Sequence, residues 1–156
     1  MGAGKSYWGK RWAQATGLEF VELDSMIEAE LGQPITEIFA AKGETFFRGQ
    51  ESILLKKHTR DNCIVATGGG AACFFNNMDW MNAHGTTLYL QASPQLLAER
   101  LAVEKAHRPL LQQVSDAALE SFIAHKLAER EPFYNQAHRV LDVTHLTDDS
   151  LKPYLI

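Results

Sequence analysis

The feature that most limits how this chain can fold is an alternation. Short apolar runs at Leu18–Leu23, Asn62–Thr67, Thr86–Gln91 and Arg139–Val143 are separated by stretches with helical patterning. Antiparallel neighbours can be joined by a turn of about two residues, whereas parallel strands need crossovers of about a dozen or more. The intervals here suit crossovers. They predict βαβ units and an α/β fold of three layers, α/β/α, with a central parallel sheet and helices on both faces. Ligands of such sheets bind outside the carboxyl ends of the strands.

The helical segments have recognisable punctuation. One runs from Ser6 to about Ala15 and stops at Thr16-Gly17; Asp24 is placed to cap a second, carrying Met26, Ile27 and Leu31, which Gly32-Gln33-Pro34 ends. Ile35–Ala41 reads as a short helix and Gly43–Lys57 as a longer one; Pro94–Val103 and Leu119–Arg130 follow. Trp8, Trp12 and Trp80 are expected to anchor packing.

At 156 residues, without a repeat or a Pro/Ser-rich linker, residues 1–156 are expected to form a single domain. A net charge of -4 with scattered basic residues argues against a nucleic-acid partner. Cys63 and Cys73 lack metal-ligand spacing and read as reduced thiols, and the six histidines form no i,i+4 pair. No apolar run is long enough for a bilayer and no signal-peptide pattern opens the chain, so no membrane contact and a cytoplasmic location are expected.

Five short motifs carry chemistry. Gly2-Ala3-Gly4-Lys5-Ser6 matches the second half of G-x-x-x-x-G-K-[ST], whose backbone N–H groups cradle phosphates at a helix N-terminus, with the lysine on the β- and γ-phosphates and the hydroxyl on Mg²⁺. The first glycine of that pattern and the strand feeding it would precede Met1, which implies a true start upstream. Glu22-Leu23-Asp24 sets two carboxylates on one face at a strand end, one for Mg²⁺ through water and one for an attacking hydroxyl. Arg48, with Glu51 three residues on, can present a fixed guanidinium to a carboxylate. Gly68-Gly69-Gly70 after a strand lets backbone approach a ligand. Arg108, in His107-Arg108-Pro109-Leu110-Leu111, falls in a polar stretch suited to a lid at about residues 102–116.

Each motif also has a plain structural reading. GAGKS suits a turn before a helix, ELD an N-cap with a solvated neighbour, Arg48 with Glu51 a surface ion pair, the glycines a flexible connection, and Arg108 a solvated loop residue. Arg130, ending a helix in Ala128–Tyr134, suits the helix C-terminus with or without a ligand.

In order and approximate spacing, MGAGKS, ELD, GETFFR, ATGGGA, HRPLL and EREPFY resemble the shikimate kinase family over nearly the whole chain. The resemblance implies a P-loop NTPase fold of the nucleoside monophosphate kinase type and a monomer that phosphorylates the 3-hydroxyl of shikimate with ATP and Mg²⁺. It implies nucleotide contacts from Gly2, Ala3, Gly4, Lys5, Ser6, Tyr7, Arg100 and Arg108, with Arg100 near adenine and Arg108 on the lid. Asp24, Arg48, Gly68, Gly69, Gly70 and Arg130 would surround shikimate, the two arginines on its carboxylate and Asp24 as base or positioner. Lys5, Asp24 and Arg108 would be catalytic, and Ser6 and Glu22 would serve the metal. Glu22 stands where the family usually has Asp, and the last helix is short. Alternative readings are an inactive ATP-binding module or another small-metabolite kinase, such as a gluconate or nucleoside monophosphate kinase.

Overall fold

The computed structural model describes residues 2–58, 60–103, 111 and 113–155. In chain order the elements are α1 (Lys5–Thr16), β1 (Glu19–Glu22), α2 (Leu23–Leu31), α3 (Ile35–Lys57), β2 (Cys63–Ala66), α4 (Asn77–His84), β3 (Leu88–Gln91), α5 (Pro94–Ala102), α6 (Asp116–Tyr134) and β4 (Arg139–Asp142). Short 3₁₀ turns occupy Ala71–Cys73, Val143–His145 and Lys152–Tyr154. No described helix is long and apolar enough to cross a membrane.

Both strand pairings are parallel, as the alternation requires. β1 pairs with β2, Glu19 opposite Cys63 and Glu22 opposite Ala66; β3 pairs with β4, Leu88 opposite Arg139 and Gln91 opposite Asp142. Among the described residues these are two two-stranded sheets, where the alternation alone predicts one continuous sheet. One apolar cluster nevertheless spans both pairs. It joins Trp12 of α1 to Leu90, Leu97, Leu101, Leu119 and Ile123, with Ile64 of β2 and Leu88 of β3 packed against it. A second cluster (Leu23, Ile27, Ile38, Phe47, Leu54, Leu55) holds α2 against α3.

Four local details differ from the sequence reading or refine it. Asp24 does not cap α2: Glu22 occupies the cap position in extended backbone, and Asp24 lies in the first turn, where a carboxylate still favours the positive helix end. Glu22 and Asp24 thus belong to a strand end and a helix start, so the two-residue strand period does not set their relation. α3 is two helical pieces meeting at Gly43, whose φ of 78° and ψ of 173° interrupt the helix. That conformation is open to glycine and strained for other residues. α6 continues past Arg130 and Pro132 to Tyr134, and its N-cap Ser115 accepts from the Ala118 N–H at 3.3 Å. α4 has no strong apolar period and is not apparent in the sequence.

Candidate active site

The carboxyl ends of β1 and β2 lead directly into Glu22, Asp24 and the Gly68–Gly70 loop, and the motif residues gather there. Two neighbourhoods result, one at the α1 N-terminus and one under the glycine loop.

At the α1 N-terminus, Gly2 and Gly4 adopt left-handed backbone, φ 66° and 85°. Gly4 occupies the N-cap, no side chain caps the helix, and no acidic residue lies in its first turn. The first N–H groups of a helix have no partner within it, so this end presents donors and a positive dipole to an anion. The Ser6 hydroxyl donates to Glu22 Oε1, bringing the expected metal-facing hydroxyl and carboxylate together. Arg100 of α5 donates from Nη1 to the Gly2 carbonyl at 3.3 Å, which sets it against the loop. Tyr7 is largely exposed beside Trp8, with ring centroids 5.2 Å apart, and accepts from Arg11 at 2.9 Å.

Under the glycine loop sits a buried charged cluster. Arg48 is 4% exposed and Glu51 0%, which removes the surface ion-pair reading. Arg48 Nη1 donates to Glu51 Oε2 at 2.8 Å, while Nε and Nη2 both donate to Glu44 Oε1 at 3.2 and 3.1 Å. Phe47 and Phe74 lie 5.1 and 5.2 Å from the guanidinium carbon and add cation–π attraction. Burial pulls the Arg48 pKa down, but the carboxylates of Glu51 and Glu44 more than offset it, so the net direction is up. The guanidinium stays charged in its pocket.

The glycines make room for this cluster. A Cβ on Gly70 would stand 2.4 Å from the Arg48 guanidinium carbon, and one on Gly68 would stand 2.7 Å from Glu51 Oε1 and 3.3 Å from Asp24 Oδ1. Side-chain-free backbone is needed here first by the protein's own charged groups. Asp24 Oδ1 and Glu51 Oε1 are buried and have no hydrogen-bond partner among the described residues. Burial pushes the Asp24 carboxyl above the ordinary aspartate range, with Glu22 adding to the shift and Lys5 and Arg48 opposing it. Burial likewise pushes Glu51 up against the pull of Arg48. An unsatisfied buried carboxylate oxygen is costly, and a hydroxyl donor would relieve it.

Arg130 of α6, 9% exposed, faces the same place. The charges of Arg130 and Arg48 both act on the Cys73 thiol, which burial pushes up, and both act on the Tyr134 phenol. Two cations, two acceptor oxygens and a glycine loop therefore converge. Arg108 lies outside the described residues, as does most of the stretch expected to form a lid.

The sequence reading missed three groups. Glu44 accepts from two donors, Nε and Nη2, on one edge of the Arg48 fork, and the Glu44–Arg48 spacing of four residues could have flagged it. Asn77, fully buried, donates to the Ala71 carbonyl at 2.9 Å and accepts from Ser52 at 2.7 Å, a link that only the fold reveals. The Tyr134 hydroxyl donates to the Gly69 carbonyl. Its place four residues beyond Arg130 was legible, but only if α6 continued through Pro132.

The chain as a whole has counterparts among known proteins. The family model described as shikimate kinase matches residues 1–154. A shikimate kinase of Parabacteroides distasonis is 42% identical over 151 residues, covering 96% of this chain and 87% of that one. Shikimate kinase 2 of Yersinia enterocolitica is 40% identical over 157 residues, covering 99% and 88%. Among solved structures, the shikimate kinase of Bacteroides thetaiotaomicron superposes with a TM-score of 0.87 at 39% identity, covering 94% of this chain and 84% of that one. That of Acinetobacter baumannii in complex with shikimate superposes with a TM-score of 0.87 at 32% identity, covering 98% and 84%. The fold is therefore the α/β fold of the P-loop nucleoside monophosphate kinase type expected from the sequence. With the family model matching residues 1–154 and relatives of 40–42% identity covering nearly the whole chain, the chain belongs to the shikimate kinase family.

Proposed function

We propose that this protein transfers the γ-phosphoryl group of ATP to the 3-hydroxyl of shikimate, as a monomeric cytoplasmic enzyme using Mg²⁺. The observation that carries this reading is the buried Arg48, oriented by Glu51 and set beside the unpaired oxygen of Asp24. A hydroxylated ring acid offers both groups such a pocket lacks: a carboxylate for the guanidinium and hydroxyl donors for the carboxylate oxygens. A nucleoside monophosphate acceptor would instead call for a base-binding pocket.

In this reading Arg48 and Arg130 hold the substrate carboxylate. Of the two carboxylates on Arg48, Glu44 is the exposed one, its side chain 43% accessible, and the incoming carboxylate displaces it. Glu51 remains and keeps the guanidinium plane in place. Gly68, Gly69 and Gly70 offer backbone to the ring, and Asp24 Oδ1 accepts the proton of the attacking hydroxyl as the P–O bond forms and ADP leaves. The raised Asp24 pKa suits a base matched to that task.

On the phosphate side, Gly2, Ala3, Gly4, Lys5 and Ser6 cradle the phosphates through backbone N–H groups, and Lys5 places its charge on the β- and γ-phosphates. Tyr7 and Arg100 flank the nucleotide, and Arg108 is the lid arginine. The joined oxygens of Ser6 and Glu22 fit a hard, largely hydrated cation, and no described cluster of three or more His, Cys, Asp or Glu competes for it. Mg²⁺ bound there supplies neutralisation of phosphate charge. Phosphoryl transfer asks the protein mainly for positioning and charge, which this site provides.

The test is ADP release from ATP and Mg²⁺ with shikimate, gluconate or AMP as acceptor. Shikimate-dependent turnover is expected; turnover only with gluconate or AMP would assign a different acceptor. ATP binding without turnover on any of the three would favour an inactive module.

A further inference from the structure

The glycine loop is braced at its carbonyls, that of Gly70 by the Cys73 N–H at 3.0 Å. The Gly68 carbonyl accepts from the Ala71 N–H at 3.1 Å, the Gly69 carbonyl accepts from the Tyr134 hydroxyl, and the Ala71 carbonyl accepts from Asn77 at 2.9 Å. In a trans peptide the N–H points opposite to the C=O of the same plane. The first contact therefore fixes the direction of the Gly69 N–H, and the second fixes that of the Gly70 N–H. Among the described residues neither N–H has a hydrogen-bond partner.

Tyr134 does more than reach the loop. Its ring packs on Tyr89 of β3 with centroids 4.9 Å apart, so the phenol is held by the sheet and by α6 at once. It lies one helical turn beyond Arg130, whose charge acts on its hydroxyl. One side chain thereby ties β3, the Arg130 face of α6 and the loop after β2. The Asn77 brace differs: it is fully buried, backed by Ser52 of α3, and grips the loop one turn later.

We propose that Tyr134 is a positioning residue for the acceptor, its hydroxyl holding the Gly69–Gly70 peptide so that the loop N–H groups and Arg130 face the substrate together. This rests on the shikimate reading above. Tyr134→Phe keeps the ring and its packing on Tyr89 while removing the one donor. The variant should show a shikimate KM raised about tenfold, with kcat and the KM for ATP within about twofold, the loss of one binding hydrogen bond. A merely structural role would instead lower the melting temperature and active fraction and leave the shikimate KM unchanged.

Hydrogen exchange of the peptide spanning residues 68–73, measured without substrate, gives a second readout. The Ala71 and Cys73 amides are bonded within the loop and should exchange several-fold faster in the variant. An unchanged shikimate KM overturns the proposal whatever the exchange shows, as does an equal rise in the KM values of both substrates. If the wild-type chain fails to turn over shikimate, the acceptor reading falls, and loop exchange alone decides whether Tyr134 holds the loop.

Discussion

The two halves of the site are built by different physics. On the acceptor side, charged side chains are buried and paired before any ligand arrives: Arg48 is locked by Glu51 and Glu44, with Gly68 and Gly70 stripped of side chains to admit them. On the phosphate side the main instrument is backbone: two left-handed glycines and the uncapped start of α1. The difference follows from the ligands. A triphosphate offers many charges to generic N–H donors, whereas a small ring acid must be recognised by the position of a few groups, so its pocket has to be rigid.

If that contrast holds, changes on the phosphate side should strike kcat, and changes to the acceptor side's carboxylate-binding groups should strike substrate KM, with Asp24, which takes the reacting proton, acting on kcat. The largest expected effect is Lys5→Ala, which removes a cation from the transferring phosphoryl group and should lower kcat on the order of a thousandfold with little change in shikimate KM. Turnover near the wild-type level would break the assignment. Arg48→Lys keeps the charge but loses the planar fork; a shikimate KM raised by about a hundredfold at a similar ATP KM is expected in steady-state kinetics. Gly70→Ala should approach the same phenotype without touching a charged residue, since its Cβ would fall 2.4 Å from the Arg48 guanidinium carbon. Wild-type shikimate KM in that variant would mean the pocket is looser than described.

A smaller effect concerns stability. Burial raises the Asp24 pKa in the folded protein, so folding favours its protonated form. That contribution is fully present below the unfolded pKa of about 3.9 and is lost as pH rises through the folded value. At neutral pH the ionised group is a net cost. Asp24→Asn should therefore raise the melting temperature by a few degrees at pH 7 while turnover falls sharply, and the gain should shrink as the pH is lowered. A lower melting temperature at pH 7 would contradict the buried, unsatisfied carboxylate. The smallest effect expected is from Glu44→Gln. Freeing the Arg48 fork of an exposed competitor should lower the shikimate KM about two- to threefold, a size typical of exposed ion pairs.

Much of this was legible in the chain itself, for physical reasons. Strand–helix alternation prescribes parallel pairing, and both pairs are parallel. Glycine and proline punctuation marked most helix limits, including the break at Gly43. Arg48 and Glu51 could be matched because helical spacing is local. What stayed hidden depends on separation in sequence or on tertiary override. α4 buries the polar Asn77 beside Met78 and carries no apolar stripe, and α6 runs through Pro132 to Tyr134, whose ring packs on Tyr89 of the sheet. The need for Gly70 reads as ligand access in the sequence, yet in the fold it is an Arg48 contact between residues 22 positions apart. Nothing local could reveal that.

The measurement that bears most directly on the central claim compares shikimate with its methyl ester as acceptors, for the wild-type chain and for Arg48→Lys. The wild-type chain should prefer the free acid by about a hundredfold in kcat/KM, and that preference should shrink by a factor of about ten or more in the variant. Equal use of acid and ester by the wild-type chain, or an undiminished preference in Arg48→Lys, would contradict a pocket built around that guanidinium.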